Sequence, residues 1–441
     1  MSQSAPIRPA SAIMLQRAHK VWLGHRGNTR FLPGFSVFPG GGSESGETDV
    51  ETALRELSEE TGLNLEEDNL TPFARAITPA YSKYRYDVKV FRAELPATQE
   101  PLPDGKEFLD GHWYTSDELF QAWRTGHIQL APPTLRQLML WSDCITGEQA
   151  WPQRHAAFAA PPERNEQVLP MSPGLTVIPL RTRAMPPAAW TNAAILGEQE
   201  LLVLDPGGPD VSVLLEELQR LTREGAKIKG VLLSHHHPDH LEGYHQLELA
   251  HLPLYCHSIT ADLLPEDFPK PQLLKCGETL SLGPEYTVRT HFTPGHAPGH
   301  LAFEVVERKA LLAGDMISSL SSIVIPSDNG NLLHYLESLE KLRNLQCNLI
   351  VPSHGPPYGK GSDPFGQAMA HRRKREEQVV KVLEKGSRTP EEITHILYRG
   401  LDNRLFPAAR ANVRHYLWKL QKEGRADEDD SAWTLLRGAS T

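Results

Sequence analysis

Five histidines and two aspartates follow one another in an order that suits metal binding. They are His235, His237, Asp239, His240, His296, Asp315 and His354, of which the first four form an H-x-H-x-D-H run. The run and each later residue follow strand-like stretches, so loops at one edge of a sheet can bring them together. Imidazole and carboxylate without thiolate suit zinc, and seven donors are enough for two ions. The pattern predicts a two-zinc site that makes hydroxide available near pH 7 for attack on a carbonyl or a phosphorus.

A second set of candidate ligands lies beside a glycine-rich loop. Glu56, Glu59 and Glu60 are spaced i, i+3, i+4, which places them on one stripe of a predicted helix. Stacking like charges in this way costs roughly 0.2–0.5 kcal/mol per pair, a cost that a divalent cation offsets. Oxygen ligands of this kind favour Mg²⁺ or Mn²⁺. The alternative is a solvated acidic face of an ordinary helix.

The same residues belong to a longer pattern, G-x5-E-x7-R-E-U-x-E-E-x-G-U, where U is a bulky aliphatic residue. It runs from Gly41 to Leu63 and resembles the Nudix box. The resemblance implies a metal shell completed by the carbonyl of Gly40, and attack of metal-activated water on a diphosphate. Arg55 is expected to orient the glutamates.

Glu59 is the candidate catalytic base of this box, and Glu107 and Asp110 are the alternatives outside it. The segments 31–39 and 131–133 look like the Nudix subgroup that contains peroxisomal coenzyme A diphosphatases. The expected substrate is therefore a nucleoside-diphosphate conjugate such as coenzyme A.

The histidine and aspartate series resembles the metallo-β-lactamase fold, most closely its glyoxalase II branch. By that resemblance His235, His237 and His296 hold the first zinc, Asp239, His240 and His354 hold the second, and Asp315 bridges both. Asp205 would orient the histidine loop from outside the ligand shell, whereas His236 and His300 are expected to be structural. Asp239 is the candidate catalytic residue of this site.

Composition and periodicity divide the chain into three domains. At 441 residues it is too long for one ordinary core. We expect a Nudix α/β/α sandwich at 1–160, a metallo-β-lactamase αββα sandwich at 166–365 and a winged-helix module at 366–441. A proline-rich stretch at 159–170 reads as a linker. The fold class is thus multidomain α/β with a small helical module at its end.

From Gly174 onward the chain resembles the lactamase-β-like 2 family, on the metal motifs together with Trp190-Thr191-Asn192 and the segment 371–378. That family includes a single-strand endoribonuclease and thioesterases that release acyl chains from carrier proteins. The resemblance therefore implies hydrolysis and leaves two substrates open.

The winged-helix module carries the residues that bear on RNA. Four basic residues lie on its last predicted helix: Arg410, Arg414, Lys419 and Lys422. These side chains could bind nucleic acid. Against this, Arg372 with Glu376 and Arg373 with Glu377 are spaced as the ion pairs of a solvated helix, and the acidic hairpin 427–430 would repel phosphate. The alternative is a structural lid or a dimer contact.

The expected function is that of a bifunctional hydrolase. The Nudix domain would cleave a nucleoside-diphosphate-linked substrate with Mg²⁺ or Mn²⁺, and the two-zinc domain would hydrolyse an acyl-CoA or acyl-carrier thioester with metal-bound hydroxide. Endoribonuclease action on single-stranded RNA is the alternative. With no signal-peptide pattern, no apolar run of about 20 residues and four scattered cysteines, we expect a cytoplasmic enzyme of small molecules without a membrane partner. The oligomeric state stays open.

Overall fold

The computed structural model describes residues 6–29, 31–79, 82, 84–152 and 167–436. Of the predicted linker, 159–166 lie outside these ranges, and Leu169 and Pro170 already belong to a strand. The bounds of the three domains stay predictions. None of the helices in the described ranges is both long and apolar enough to cross a bilayer. All four cysteines are free thiols.

The N-terminal part is built on a mixed sheet of seven strands between helices. The strands are β1 (Ile7–Arg17), β2 (Lys20–Arg26), β3 (Ser36–Val37), β4 (Gly40–Gly42), β5 (Thr71–Ile77), β6 (Arg85–Glu94) and β7 (Phe108–Thr115). Their order is β3-β2-β1-β6-β5, with β4 on β1 and β7 on β2. Only the pair β1 and β6 is parallel among these described strands.

Helices cover both faces of this sheet. They are α1 (Asp49–Thr61), α2 (Ser116–Arg124) and α3 (Pro132–Thr146). Successive residues of β1 point to opposite faces, so that Ile13 packs with Leu57 of α1 and Met14 packs with Trp141 of α3. The layering is the predicted α/β/α sandwich.

The central part consists of two sheets packed face to face. The first contains β8 (Leu169–Ser172), β9 (Leu175–Arg181), β10 (Trp190–Leu196), β11 (Glu200–Leu204), β12 (Lys227–Leu232), β13 (Leu254–Cys256) and β14 (Gln272–Leu273), in the order β14 to β8. The second contains β15 (Thr279–Ser281), β16 (Thr287–Phe292), β17 (Leu301–Val305), β18 (Ala310–Ser318) and β19 (Leu349–His354), in chain order. Val177 and Leu204 of the first sheet share a core with Phe303 and Val351 of the second.

Helices again lie outside the two sheets. They are α4 (Ser212–Arg223), α5 (Pro238–Leu241), α6 (Ser258–Ala261) and α7 (Leu332–Arg343). Leu214 and Leu218 of α4 pack on the first sheet, and Leu339 of α7 packs on the second. The predicted αββα order is confirmed. Short 3-10 turns occupy Glu67–Asn69, Tyr244–Leu247, Val306–Arg308 and Asn403–Leu405.

The C-terminal part contains three helices and a hairpin. They are α8 (Pro364–Leu383), α9 (Pro390–Leu397), α10 (Phe406–Lys422), β20 (Ala426–Asp429) and β21 (Ala432–Leu435). Leu417 and Trp433 of this winged-helix module belong to the same buried cluster as Leu339 and Ile350 of the central part. The module is therefore packed onto the outer face of the second sheet as part of one core.

One prediction for this module is wrong. Arg372 does not pair with Glu376 in solvent, because its side chain is buried and only 4% of the residue is exposed. Glu376 instead forms ion pairs with Lys419, at 2.8 Å, and with Arg425, at 2.9 Å. The i, i+4 spacing allows a helical ion pair but does not reveal which face a tertiary contact will bury.

The N-terminal and central parts also share buried contacts. The Gly359 backbone N–H donates to the Pro33 carbonyl at 2.8 Å, and the Asn348 side-chain amide donates to the Gly126 carbonyl at 2.8 Å. Phe35 and Ala131 are 1% and 3% exposed, and both pack in the core between the two central sheets.

Candidate metal centres

The zinc-site residues lie at one edge of the central sandwich. The run from His235 to His240 follows β12 and enters α5, which begins at Pro238. His296 follows β16, Asp315 lies within β18, and His354 is the last residue of β19. Strands β18 and β19 are parallel neighbours, so their ligands approach each other.

Three histidines form the first ligand cluster. His237 Nδ1 lies 2.9 Å from His235 Nε2 and 2.9 Å from His296 Nε2. Burial lowers the pKa of each ring, for His237 to about 2. The rings are therefore neutral near pH 7, which is the form that binds metal.

A second cluster adjoins the first. His354 Nε2 lies 3.5 Å from Asp239 Oδ2, and His240 Nε2 lies 3.7 Å from the same oxygen. Asp315 stands between the two clusters, with Oδ1 3.4 Å from His354 Nε2 and Oδ2 3.3 Å from His296 Nε2. Although burial lowers the pKa of His240, the carboxylates of Asp239 and Asp315 raise it to about 10.

These residues fit a pair of divalent cations. His240 Nε2 and Asp315 Oδ1 are buried and have no hydrogen-bond partner within the described part of the chain. Leaving buried polar atoms unpaired is costly unless a ligand satisfies them. The donor set holds nitrogen and carboxylate oxygen in two groups with a shared carboxylate, which is suitable for zinc. All seven predicted residues are brought together.

Asp205 holds the loop that carries the histidine run. It is 2% exposed and accepts hydrogen bonds from the Ser234 N–H at 2.7 Å and the Ser234 hydroxyl at 2.6 Å. Its Oδ2 also accepts from His240 Nδ1 at 3.0 Å. The bond places the ring proton on Nδ1 and leaves Nε2 free for a metal. The expected role of Asp205 outside the ligand shell agrees with this geometry.

Three consecutive residues of β10 perform similar tasks that sequence reasoning missed. The Trp190 carbonyl accepts from His354 Nδ1 at 2.9 Å, and the Thr191 hydroxyl donates to Asp239 Oδ2 at 3.3 Å. The Asn192 amide donates to the carbonyls of Pro352 and Gly355, both at 2.8 Å. The family motif Trp190-Thr191-Asn192 was the available signal, and its residues hold the second cluster.

His300 binds the backbone beside Asp315, which agrees with the expected structural role. Its Nε2 accepts from the Asp315 backbone N–H at 3.1 Å, and its Nδ1 is 2.8 Å from the Thr293 hydroxyl. A Cβ on Gly314 would lie 2.3 Å from His300 Nε2, so only glycine permits this approach. His236 points elsewhere, with Nε2 3.4 Å from the Asn329 amide.

The Nudix-box residues are organised by Arg55 on α1. The helix begins with a capping box at Thr48 and ends at Gly62. The Arg55 guanidinium contacts Glu47 Oε1 at 2.7 Å, Glu56 Oε1 at 2.9 Å and Glu59 Oε2 at 3.3 Å. It therefore orients the glutamates, as expected.

Glu60 is the most buried of these carboxylates. It is 3% exposed, and its Oε2 accepts from the Gly40 N–H at 2.7 Å. Burial raises its pKa to about 8, and burial also raises the pKa of Glu56. A Cβ on Gly41 would lie 2.4 Å from Glu56 Oε1, which explains the glycine at that position.

The three predicted ligand glutamates do not converge as the zinc-site residues do. Within the described ranges, groups of three ligand atoms within 4.8 Å occur at the histidine and aspartate site but not among Glu56, Glu59 and Glu60. Of the two acids outside the box, Glu107 affects the titration of Glu56 and Glu60. Asp110 instead lies beside His112, at 3.7 Å.

Known families match all three parts of the chain. The NUDIX domain model matches residues 6–137, the metallo-beta-lactamase superfamily model residues 191–354, and the beta-lactamase associated winged helix domain model residues 389–433. The chain joins a NUDIX domain to a metallo-beta-lactamase domain. It is a hydrolase, and the predicted order of Nudix domain, lactamase fold and winged helix is confirmed. A lactamase fold of this kind implies a divalent metal, usually zinc.

Relatives and solved structures agree with this assignment. The beta-lactamase-like protein 2 homolog of Drosophila melanogaster is 28% identical over 286 residues, which cover 60% of this chain and 95% of that protein. An atrochrysone carboxyl ACP thioesterase of Aspergillus fumigatus is 28% identical over 195 residues, 44% of this chain and 60% of that protein. A metallo-beta-lactamase family protein of Thermus thermophilus has a TM-score of 0.50 at 23% identity, covering 60% of this chain and 99% of that one.

Proposed function

We propose that the lactamase domain is a two-zinc hydrolase of acyl thioesters. The observation that carries the proposal is the position of Asp315, whose two oxygens face the two ligand clusters. His235, His237 and His296 would hold one ion, Asp239, His240 and His354 the other, and Asp315 both. When bound, the two ions would supply a water molecule of lowered pKa close to neutral pH.

Asp239 is the residue of this chain that would handle the proton of the attacking water. Its side chain is 19% exposed, against 9% for Asp315, so it is the ligand carboxylate nearer to solvent. The Thr191 hydroxyl donates to its Oδ2, which fixes that oxygen toward His354 and leaves Oδ1 for the proton. Asp205 and Trp190 would keep the proton of their histidines on Nδ1 throughout.

Charge pairing in the winged-helix module favours a thioester over RNA as substrate. Arg410 lies 3.2 Å from Glu391, and Lys419 lies 2.8 Å from Glu376 and 2.6 Å from Glu423. Two of the four basic residues proposed to contact RNA thus already pair with carboxylates of the protein. The strand β20 exposes acidic residues, which repel phosphate. A relative that is named a carrier-protein thioesterase points the same way.

For the Nudix domain we propose hydrolysis of a nucleoside-diphosphate conjugate with Mg²⁺ or Mn²⁺. Glu56, Glu59, Glu60 and the Gly40 carbonyl would hold the ion, with Glu59 as base. The Arg55 network supports this, because it already gathers Glu56 and Glu59 on one side of the helix. Glu107 is the better alternative base, since burial and, to a smaller extent, the charge of Glu107 raise the pKa values of both Glu56 and Glu60.

The test is a substrate panel read on two inactivating variants of the full chain. Asp239→Asn and Glu59→Gln would each be assayed with acyl-CoAs, acyl carrier proteins, nucleoside-diphosphate conjugates and short single-stranded RNAs. We expect Asp239→Asn to abolish thioester hydrolysis only and Glu59→Gln to abolish diphosphate hydrolysis only, so each variant is the control for the other. RNA cleavage that Asp239→Asn removes, without thioester turnover by the parent, would contradict the proposal.

A further inference from the structure

The loop segment Ile323–Pro326 is held at three of its four residues by side chains of the C-terminal helices. The Ile323 carbonyl accepts from the Arg372 guanidinium, and the Ile325 N–H donates to Asn412 Oδ1 at 3.2 Å. The Pro326 carbonyl is 2.8 Å from His415 Nε2, which must donate. Arg372 lies on α8, and Asn412 and His415 lie on α10. The winged-helix module and the helix leading into it therefore hold this segment.

The remaining residue of the segment faces the metal site. The Val324 carbonyl accepts from His296 Nδ1 at 2.8 Å. This bond keeps the ring proton on Nδ1 and turns Nε2 toward His237 and Asp315. A carbonyl can orient a ligand ring only as well as its own position is fixed.

Arg372 also contacts Tyr335, which in turn binds the residue after Asp315. Its guanidinium carbon lies 5.1 Å from the centre of the Tyr335 ring, and the Tyr335 hydroxyl donates to the Met316 carbonyl at 2.8 Å. Met316 directly follows Asp315. Arg372 thus supports the residue beside the bridging aspartate as well as the segment that orients His296.

We propose that Arg372, with Asn412 and His415, is a positioning residue for the metal centre, and that the winged-helix module is the outer support of that centre. The proposal rests on the proposed metal site. Arg372 is buried, so its donors must be paired, and the acceptors they meet are the Ile323 carbonyl and Asn412 Oδ1, which hold the segment on either side of Val324. The guanidinium spans these two groups because it presents donors in a planar fork.

The experiment compares zinc affinity in full-length variants. Arg372→Met removes the guanidinium but keeps a side chain of similar length. Arg372→Lys keeps the charge but cannot span both acceptors. Arg373→Met is the matched control, because the neighbouring Arg373 is exposed. Zinc affinity is measured by chelator competition, and thermal unfolding is measured on the metal-free proteins. Amide hydrogen exchange of the segment 321–328 reports directly on the loop.

We expect zinc affinity to fall roughly 10–100-fold in Arg372→Met, as it does when groups behind a ligand are removed, and less in Arg372→Lys. Exchange of the segment 321–328 should speed up in the metal-free variants, and Arg373→Met should match the parent in both measurements. A folded Arg372→Met protein with parental zinc affinity would overturn the inference, even if its unfolding temperature dropped.

A milder pair of variants covers the case in which Arg372→Met does not fold. His415→Gln keeps a donor near Nε2, whereas His415→Leu removes it. Lower zinc affinity in His415→Leu that His415→Gln restores supports the inference, and equal parental affinity in both overturns it. A parent protein that binds no zinc would instead contradict the proposed function, which separates the two failures.

Discussion

Replacing Asp205 by asparagine should disable the second ligand cluster without replacing any of the proposed ligands. Asp205 accepts from the Ser234 N–H at 2.7 Å, so an asparagine would keep its carbonyl oxygen there. Its NH₂ group would then occupy the Oδ2 position, 3.0 Å from His240 Nδ1. Two donors cannot face each other, and the His240 ring proton would move to Nε2. That proton would point at Asp239 and Asp315.

The substitution should lower both the stability of the metal-free protein and its zinc affinity. In the metal-free protein, exchanging the charge-assisted bonds of the buried Asp205 for neutral ones should lower the free energy of unfolding by about 1.5–3 kcal/mol. Zinc affinity of the second cluster should fall roughly 10–100-fold, or about 1.4–2.8 kcal/mol. Zinc affinity of the first cluster should fall less, because Asp205 contacts neither His237 nor His296 and reaches His235 only through the Ser234 hydroxyl.

The assay is zinc titration against a chelator, together with urea unfolding of the metal-free protein. Asp210→Asn is the matched control, because Asp210 is exposed and an asparagine can still accept from the Ser212 N–H that lies 3.0 Å from Asp210 Oδ1. It should change stability by less than about 0.5 kcal/mol. The reasoning is refuted if folded Asp205→Asn protein binds its second zinc as tightly as the parent does.

Three further outcomes are expected. Parent protein supplied with zinc and dialysed should carry two zinc ions per chain and Asp315→Ala protein about one, measured by elemental analysis. The pKa of Glu60 is raised from the usual 4.5 to about 8 in the folded protein. Between these two pH values the folded state holds a proton that the unfolded state has lost, so the free energy of unfolding of the metal-free protein should fall as pH rises through this window. Glu60→Gln should remove that fall, and urea unfolding at pH 5 and pH 9 would show whether it does. Exchanging Arg410 and Arg414 together for alanine should leave thioester turnover unchanged; salt-dependent RNA binding that disappears in this double variant would contradict the expectation.

Motifs with tight local spacing were predictable from the sequence. The α1 helix, with its Thr48 cap and its Gly62 end, is a matter of contacts within a few residues. The run from His235 to His240 was also predictable, because all its candidate ligands lie on one loop. The later ligands were placed by resemblance to a family, and the sheets bring them to the same edge.

The supports of the site were not predictable, because their partners are remote in sequence. Asn192 binds carbonyls that lie 160 and 163 residues further along the chain. The role of Val324 could not be predicted, because it binds His296 through its backbone carbonyl, which every residue type has. Arg372 was misread for a related reason: helical spacing favoured a neighbour on its own helix, whereas the buried acceptors belong to other segments.

The contact between the Nudix and lactamase domains bears on the expected preference for coenzyme A. The segment 31–39 suggested coenzyme A by resemblance, yet Phe35 and Ala131 are buried at 1% and 3% exposure in the core of the lactamase sandwich. Their apolar character is therefore explained by packing between domains and does not require a coenzyme A ligand. Because Gly359 lies five residues after the ligand His354 and donates to Pro33, the same packing joins a Nudix loop to a metal-site loop. The resemblance of the segment 31–39 therefore does not by itself select coenzyme A, and the proposed hydrolysis of a nucleoside-diphosphate conjugate has to be tested on conjugates other than coenzyme A as well.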